Sequence, residues 1–214
     1  LRTASQPAIL TGRNEEAFNL GQSSVRIARA CGDPHALAEA LFRLGYAAIA
    51  VERGADAHDY FVEGILLARQ AGDRTLVANL SVGMGELLSQ REQFDLAEPY
   101  YLEALDGFRD DPGNTLYTLV VLARNAIALR VDAKAVHYLR EASATAAVRD
   151  SILTALPILL NCAGLAALRK EWTFALRMSG ASSSHREQHG FSEDYVDARF
   201  HARAMAPARE AVGA

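Results

Sequence analysis

The chain has 214 residues, half of them hydrophobic and 22% charged, with a formal net charge of −4. That composition allows a core of useful size and argues against wholesale disorder. The acidic balance argues against nucleic acid binding by this chain, because phosphate neutralisation needs clustered Lys and Arg.

Residues 1–14 read as an N-terminal extension or frayed cap. Leu1 to Gln6 carries one Arg and no apolar block, so no signal peptide is expected there, and Gln6-Pro7 disfavours helix before the proline. The chain does not open with Met and is read as an excised domain or processed product. From there the apolar residues recur at three and four, the period of an amphipathic helix. The expected helices are Glu15–Cys31, Ala36–Arg53, Ala57–Ala71, Leu76–Arg91, Leu96–Arg109, Thr115–Leu129, Ala133–Ala147, Ser151–Arg169 and Trp172–His189, with a last one from about Ser192 to Ala211. Leu119-Val120-Val121-Leu122 is the most strand-like stretch, but it runs into a helical pattern ending at Leu129. The longest apolar run, Ile152 to Leu168, is interrupted by Thr154, Pro157, Asn161 and Gly164, so no bilayer span and no membrane partner is expected. Cys31 and Cys162 are too few for a disulfide framework or zinc site and read as small core residues in a reducing cytoplasm. Lys134 and Lys170 are the only lysines among 22 basic residues, an arginine preference that fits a high-GC bacterial source.

The helices repeat. Ala17, Ala57, Ala97, Ala135 and Ala175 fall into one column at spacings of 40, 40, 38 and 40 residues. Leu20, Tyr60, Tyr100, Tyr138 and Met178 lie three downstream; Phe61 and Tyr101 lie four downstream; Gly64 and Ala104 lie seven downstream. Glu63, Glu103 and Glu141 share another column, and Gly45, Gly85, Ala123 and Ala163 each stand twelve before the alanine. Breaks fall at Arg53-Gly54-Ala55-Asp56, Arg91-Glu92-Gln93, Arg130-Val131-Asp132 and Lys170-Glu171 within the units. Others fall at Cys31-Gly32-Asp33-Pro34, Ala71-Gly72-Asp73 and Asp110-Asp111-Pro112-Gly113 between them. Glycine there supplies the left-handed residue that ends a helix, and Asp caps the next. Each unit is helix, turn, helix, turn. One such hairpin cannot bury its own apolar face, so the units must stack, with the small residues admitting the neighbouring helix and the aromatics filling the gap beyond.

This column set resembles the tetratricopeptide repeat (TPR) family, whose signature is a small residue midway along the first helix and a small–aromatic–small run in the second. Gly45, Ala57, Phe61 and Gly64 match in one copy, and Gly85, Ala97, Tyr101 and Ala104 in the next. The resemblance implies an all-α fold: a right-handed α-α superhelix, a TPR-like solenoid of about five helix hairpins. The period of about 40 residues rather than about 34 is similar to the MalT-like subclass, found in the C-terminal sensor portions of LuxR-type and antibiotic-regulatory bacterial regulators and in some cyclase fusions. Met178 to Glu187 is similar to the helix that often ends such arrays, with serines at Ser182–Ser184 in place of apolar residues, and Tyr195 to Gly213 to the helix after it. The expected organisation is the repeat array over 15–180 and C-terminal capping helices over 181–214.

No constellation in the chain suits catalysis. His185 and His189 stand four apart on a helix, but Arg186 occupies the place where the zinc-protease motif needs glutamate. Gly83-Met84-Gly85 falls inside a helix, no phosphate-binding GxxxxGK[ST] occurs, and Ser182–Ser184 beside His185 form no nucleophile elbow. No catalytic residue, metal site or cofactor is expected, and Trp172 reads as packed against the preceding helix. What remains is the groove lined by the first helix of each hairpin. Residues six before, three before and one after the small column should face it: Glu39, Phe42 and Tyr46; Asn79, Val82 and Glu86; Tyr117, Val120 and Arg124. The expected occupant is a protein or peptide, with a small effector as the other candidate, and Glu86 is expected to be exposed. The function this implies is a non-catalytic, cytoplasmic binding domain, the TPR sensor region of a bacterial regulator. The alternative is a stand-alone adaptor or homo-oligomerisation module.

Overall fold

The structure, a computed structural model, describes residues 13–147, 152–189 and 195–212. The expected extension lies outside these up to residue 12, as does the expected start of the last helix at Ser192. Every regular element among the described residues is an α-helix. The chain divides between Asp110 and Asp111 into two compact units.

The first unit holds α1 (Asn14–Cys31), α2 (Pro34–Ala50), α3 (Gly54–Ala71), α4 (Arg74–Gln90) and α5 (Phe94–Gly107). Each packs on the next, and α2 also touches α4. The second unit holds α6 (Pro112–Ala128), α7 (Asp132–Ala147), α8 (Ile152–Leu168), α9 (Trp172–His189) and α10 (Tyr195–Val212). Here too neighbours pack in sequence, with α8 touching both α6 and α10.

The helix starts follow from local chemistry. Asp33, Asp73 and Asp111 cap α2, α4 and α6: Asp33 accepts from the amides of His35 and Ala36, Asp73 from Leu76, and Asp111 from Gly113 and Asn114. Each cap satisfies amides that the first helical turn leaves unpaired. The caps pull these helices two or three residues earlier than the apolar periodicity placed them, to Pro34, Arg74 and Pro112. The proline rings lose nothing at these first positions.

The turns divide into two kinds. Gly32 and Gly72, both at φ 70°, end α1 and α3 in the left-handed conformation, as expected. Within the hairpins the left-handed residue is never glycine: Glu52, Glu92, Arg130 and Lys170 stand at φ 60°, 60°, 59° and 63°. Gly54, assigned to the turn from sequence, instead opens α3, and Gly113 lies in the first turn of α6. A left-handed residue with a side chain costs roughly 1–2 kcal/mol, so every hairpin carries this strain.

Packing explains the columns. Ala57, Ala97, Ala135 and Ala175 are fully buried and Ala17 is 1% exposed. Phe61, also fully buried, lies between two glycines from successive first helices. A Cβ on Gly45 would come within 2.4 Å of the Phe61 ring, and one on Gly83 within 2.6 Å. Tyr101 repeats the arrangement against Gly85, and its hydroxyl hydrogen-bonds Ser89 Oγ at 3.0 Å. In the second unit Leu139 and Ala142 hold the equivalent places on α7, both buried. On α9 they are Ser179 and Ser182, also buried, and Ser179 Oγ shares a 2.8 Å hydrogen bond with His201 Nε2 of α10. Trp172 packs against the cluster of Ala163, Ala166, Ala167, Ala175, Met205 and Ala208.

Charged pairs follow the same period. Arg29 of α1 grips Glu63 of α3 at 2.7 Å, and Arg69 of α3 binds Glu103 of α5, so second helices are tied at a sequence separation of 34. Glu103 also accepts from the buried Ser81 hydroxyl at 2.7 Å. His35 Nε2 meets Asp73 Oδ2 at 2.9 Å, joining the starts of α2 and α4. In the second unit Arg169 makes a two-pronged contact with Asp132 at 2.6 and 2.7 Å. These pairs are exposed and contribute to register more than to stability.

Candidate binding surface

On α2 the spacing of three and four puts Glu39, Phe42 and Tyr46 on one face. Glu39 is exposed and faces Arg43 one turn on, at 3.7 Å. Phe42 and Tyr46 are half-buried and meet edge to face with ring centroids 5.3 Å apart. Tyr46 in turn meets Phe61 at 5.7 Å, so an aromatic chain runs from the surface of α2 into the core. The ring that organises the hairpin thus also supports the rings a ligand would touch.

On α4, Asn79 is half-buried, and its amide donates to the Thr75 carbonyl at 3.0 Å. Val82 belongs to a buried cluster with Ala78, Ala104 and Phe108. Glu86 is only 9% exposed, a correction to its expected exposure. It lies in the run from Leu80 to Leu88 of α4 in which every residue is buried, so this stretch of the helix has no free face. In the second unit, on α6, Tyr117 is 41% exposed, while Val120 and Arg124 are buried. The surface a partner can reach on the first unit is therefore Glu39, Phe42, Tyr46 and Asn79, and on the second Tyr117. The first-unit surface combines one carboxylate, one amide and aromatic rings, a set suited to peptide-like groups.

The other candidate groups have ordinary surroundings. Among the described residues no cluster of three or more His, Cys, Asp or Glu could hold a metal ion. His185 is half-buried on α9, and the His189 side chain lies outside the described residues. Cys31 is exposed rather than a core residue, because it ends α1 beside Gly32; Cys162 is half-buried, and burial pushes its thiol pKa up. No helix of the described residues is long and apolar enough to cross a membrane. One feature escaped the sequence reading. The Arg–Glu ladder was detectable, since Arg29 and Arg69 share the 40-residue spacing of Glu63 and Glu103.

No protein-family model and no curated protein sequence matches the chain. Solved structures do match. A kinesin light chain-like protein of Podosopora anserina with nearly identical TPR-like repeats is similar at a TM-score of 0.70 and 14% identity, over 87% of this chain and 92% of that one. BtubC (BKLC) from P. vanneervenii is similar at 0.72 and 15%, over 89% of this chain and 80% of that one. A Rap protein, solved in complex with Competence and Sporulation Factor, is similar at 0.68 and 14%, over 98% of this chain and 62% of that one. At these identities the likeness establishes the fold: a TPR-like helical repeat, all-α.

Proposed function

We propose that the chain is a non-catalytic binding domain, the TPR-like sensor region of a bacterial transcriptional or signalling regulator. It takes a peptide, a protein segment or a small effector on the surface built from Glu39, Phe42, Tyr46 and Asn79. The half-buried edge-to-face pair of Phe42 and Tyr46, braced from beneath by Phe61, carries this reading. Rings held this way offer contact area at little entropic cost, which is what a recognition surface needs. The Rap neighbour, solved in complex with a factor, supports a bound partner on a fold of this kind. The regulator context rests on the resemblance of the Met178–Glu187 stretch and the helix after it, and implies a cytoplasmic protein. Fold likeness alone would not license a function, so the reading stands on these residues.

The test is selection of peptides from a displayed library on the purified chain. Selected peptides should lose roughly tenfold or more in affinity on Phe42→Ala, in line with loss of an aromatic anchor. Peptides that bind Phe42→Ala and Glu39→Arg as well as the wild type would overturn the assignment of the surface. A parent gene without any ATP-binding, DNA-binding or cyclase region would refute the regulator context. It would leave the second reading, a stand-alone adaptor or homo-oligomerisation module, which the likeness to a light chain's repeats favours.

A further inference from the structure

The outward faces of the second helices differ in character along the chain. On α3 the exposed positions carry Val62 and Leu66, and on α5 they carry Leu96, Pro99 and Leu102, with Leu66 and Leu96 each 57% exposed. The Arg69–Glu103 pair ties these two helices at a separation of 34, which sets Val62 level with Leu96 and the two apolar stripes side by side. The fold does not require apolar residues there. On α7, 38 residues on, the places of Leu96, Pro99 and Leu102 are held by Lys134, His137 and Arg140. Exposed apolar side chains in a group, unlike single ones, mark contact with another surface. Two carboxylates stand at the edge of the patch. Asp59 contacts His58 at 3.3 Å, and Asp95 has no partner among the described residues. The nearby Arg69 and Arg109 are already engaged, by Glu103 and Asp106, so the rim is left negative.

The outward faces of α7 and α9 have the opposite character. Arg140 on α7 and Arg177 on α9 are exposed, and neither has an ion-pair partner among the described residues. Phe174 of α9 is 51% exposed, and the same offset of 34 sets it level with Arg140. We propose that the α3–α5 face docks the α7–α9 face of a second copy of this chain. Phe174 enters the apolar patch, and Arg140 and Arg177 meet Asp59 and Asp95. An aromatic anchor with arginines beside it is what the centre of a protein interface favours, and the opposed charges fix its orientation. Because the two faces are different surfaces, the contact is head to tail rather than self-complementary. It rests on neither the ligand nor the regulator context of the reading above.

Sedimentation velocity of the full chain across the micromolar range tests this. Wild type should associate as concentration rises, and less so at high salt, which screens exposed charges. Leu96→Lys, which places on α5 the residue type that α7 carries there, and Arg140→Glu should each weaken association by about tenfold or more. Both positions are exposed, so circular dichroism should match wild type. Mixed in equal amounts, the two variants should form a one-to-one complex, since the first keeps its α7–α9 face and the second its α3–α5 face. A wild type that stays monomeric throughout, association that survives both changes, or variants that fail to combine would each overturn the proposal. So would a monomer that associates only once residues 1–12 are removed, which would make that segment the cover of the patch. None of these outcomes bears on the α2 surface, which Phe42→Ala reports.

Discussion

Gly45→Ala is the substitution whose outcome separates nested packing from ordinary helix propensity. At an unconstrained helix interior, glycine to alanine stabilises by roughly 0.8–1.0 kcal/mol. Here the new methyl would stand 2.4, 2.7 and 2.9 Å from three carbons of the Phe61 ring, closer than real Cβ contacts come. The ring cannot retreat, because the Gly83 face lies on its other side, where a Cβ would be 2.6 Å away. Overpacking of this kind costs about 1–3 kcal/mol, which exceeds the propensity gain over most of that range. Net destabilisation of about 1 kcal/mol is therefore expected. Urea titration followed by circular dichroism reads it as a lower midpoint at unchanged slope. The decisive control is Phe61→Leu, which costs stability itself but frees the space. In that background Gly45→Ala should turn stabilising, with a coupling energy of roughly 1–2 kcal/mol between the two sites. A Gly45→Ala chain more stable than wild type, or a coupling near zero, would refute the argument that glycine is there to admit the ring.

Other expectations follow from the same geometry. Ala97→Leu should lower the melting midpoint, since Ala97 is fully buried and overpacking costs about 1–3 kcal/mol; an unchanged midpoint counts against the hairpin register. Glu52→Gly, Glu92→Gly, Arg130→Gly and Lys170→Gly should each stabilise by about 0.5 kcal/mol, because relief of the left-handed penalty exceeds the added chain entropy of glycine; denaturant midpoints decide it. The His35–Asp73 contact should make stability depend on pH. The hydrogen bond to Asp73 raises the His35 pKa above its ordinary 6.5, so its contribution is complete below 6.5 and lost as pH rises through the raised value. Asp73 is held below the ordinary 3.8, first by the Leu76 amide, so its share is present above 3.8 and lost as pH falls through the lowered value. His35→Ala should flatten the melting-point profile between about pH 6 and 8, and a profile identical to wild type would exclude the pair as its cause.

Much of the repeat was legible because a hairpin leaves periodic traces. A small residue where helices touch and an aromatic where they gape recur at the length of one unit, and Ala57, Phe61 and Gly64 announce their helix without reference to any other. Helix starts were less legible, since Asp33, Asp73 and Asp111 act through hydrogen bonds that extend a helix beyond its apolar pattern. The turns misled for a related reason. Glycine is the usual left-handed residue, yet Glu52 takes that conformation while Gly54 sits inside α3. The candidate surface was legible as a face but not as an exposure. Spacing puts Tyr46 and Glu86 at equivalent positions, yet Tyr46 is half-buried and Glu86 buried, a difference set by packing between helices that the spacing does not record. Ser179 and Ser182 break the apolar pattern of α9 while remaining buried, and only the partner His201 of α10 explains the first of them.

The nesting of Phe61 between two successive first helices is what makes the hairpins one stack, and nuclear Overhauser spectroscopy observes it directly. Ring protons of Phe61 should show strong cross-peaks to the α-protons of both Gly45 and Gly83, and weaker ones to the Tyr46 ring. Cross-peaks to Gly45 alone, with none to Gly83, would mean that the ring serves a single hairpin and that the repeat packing described for this unit is wrong.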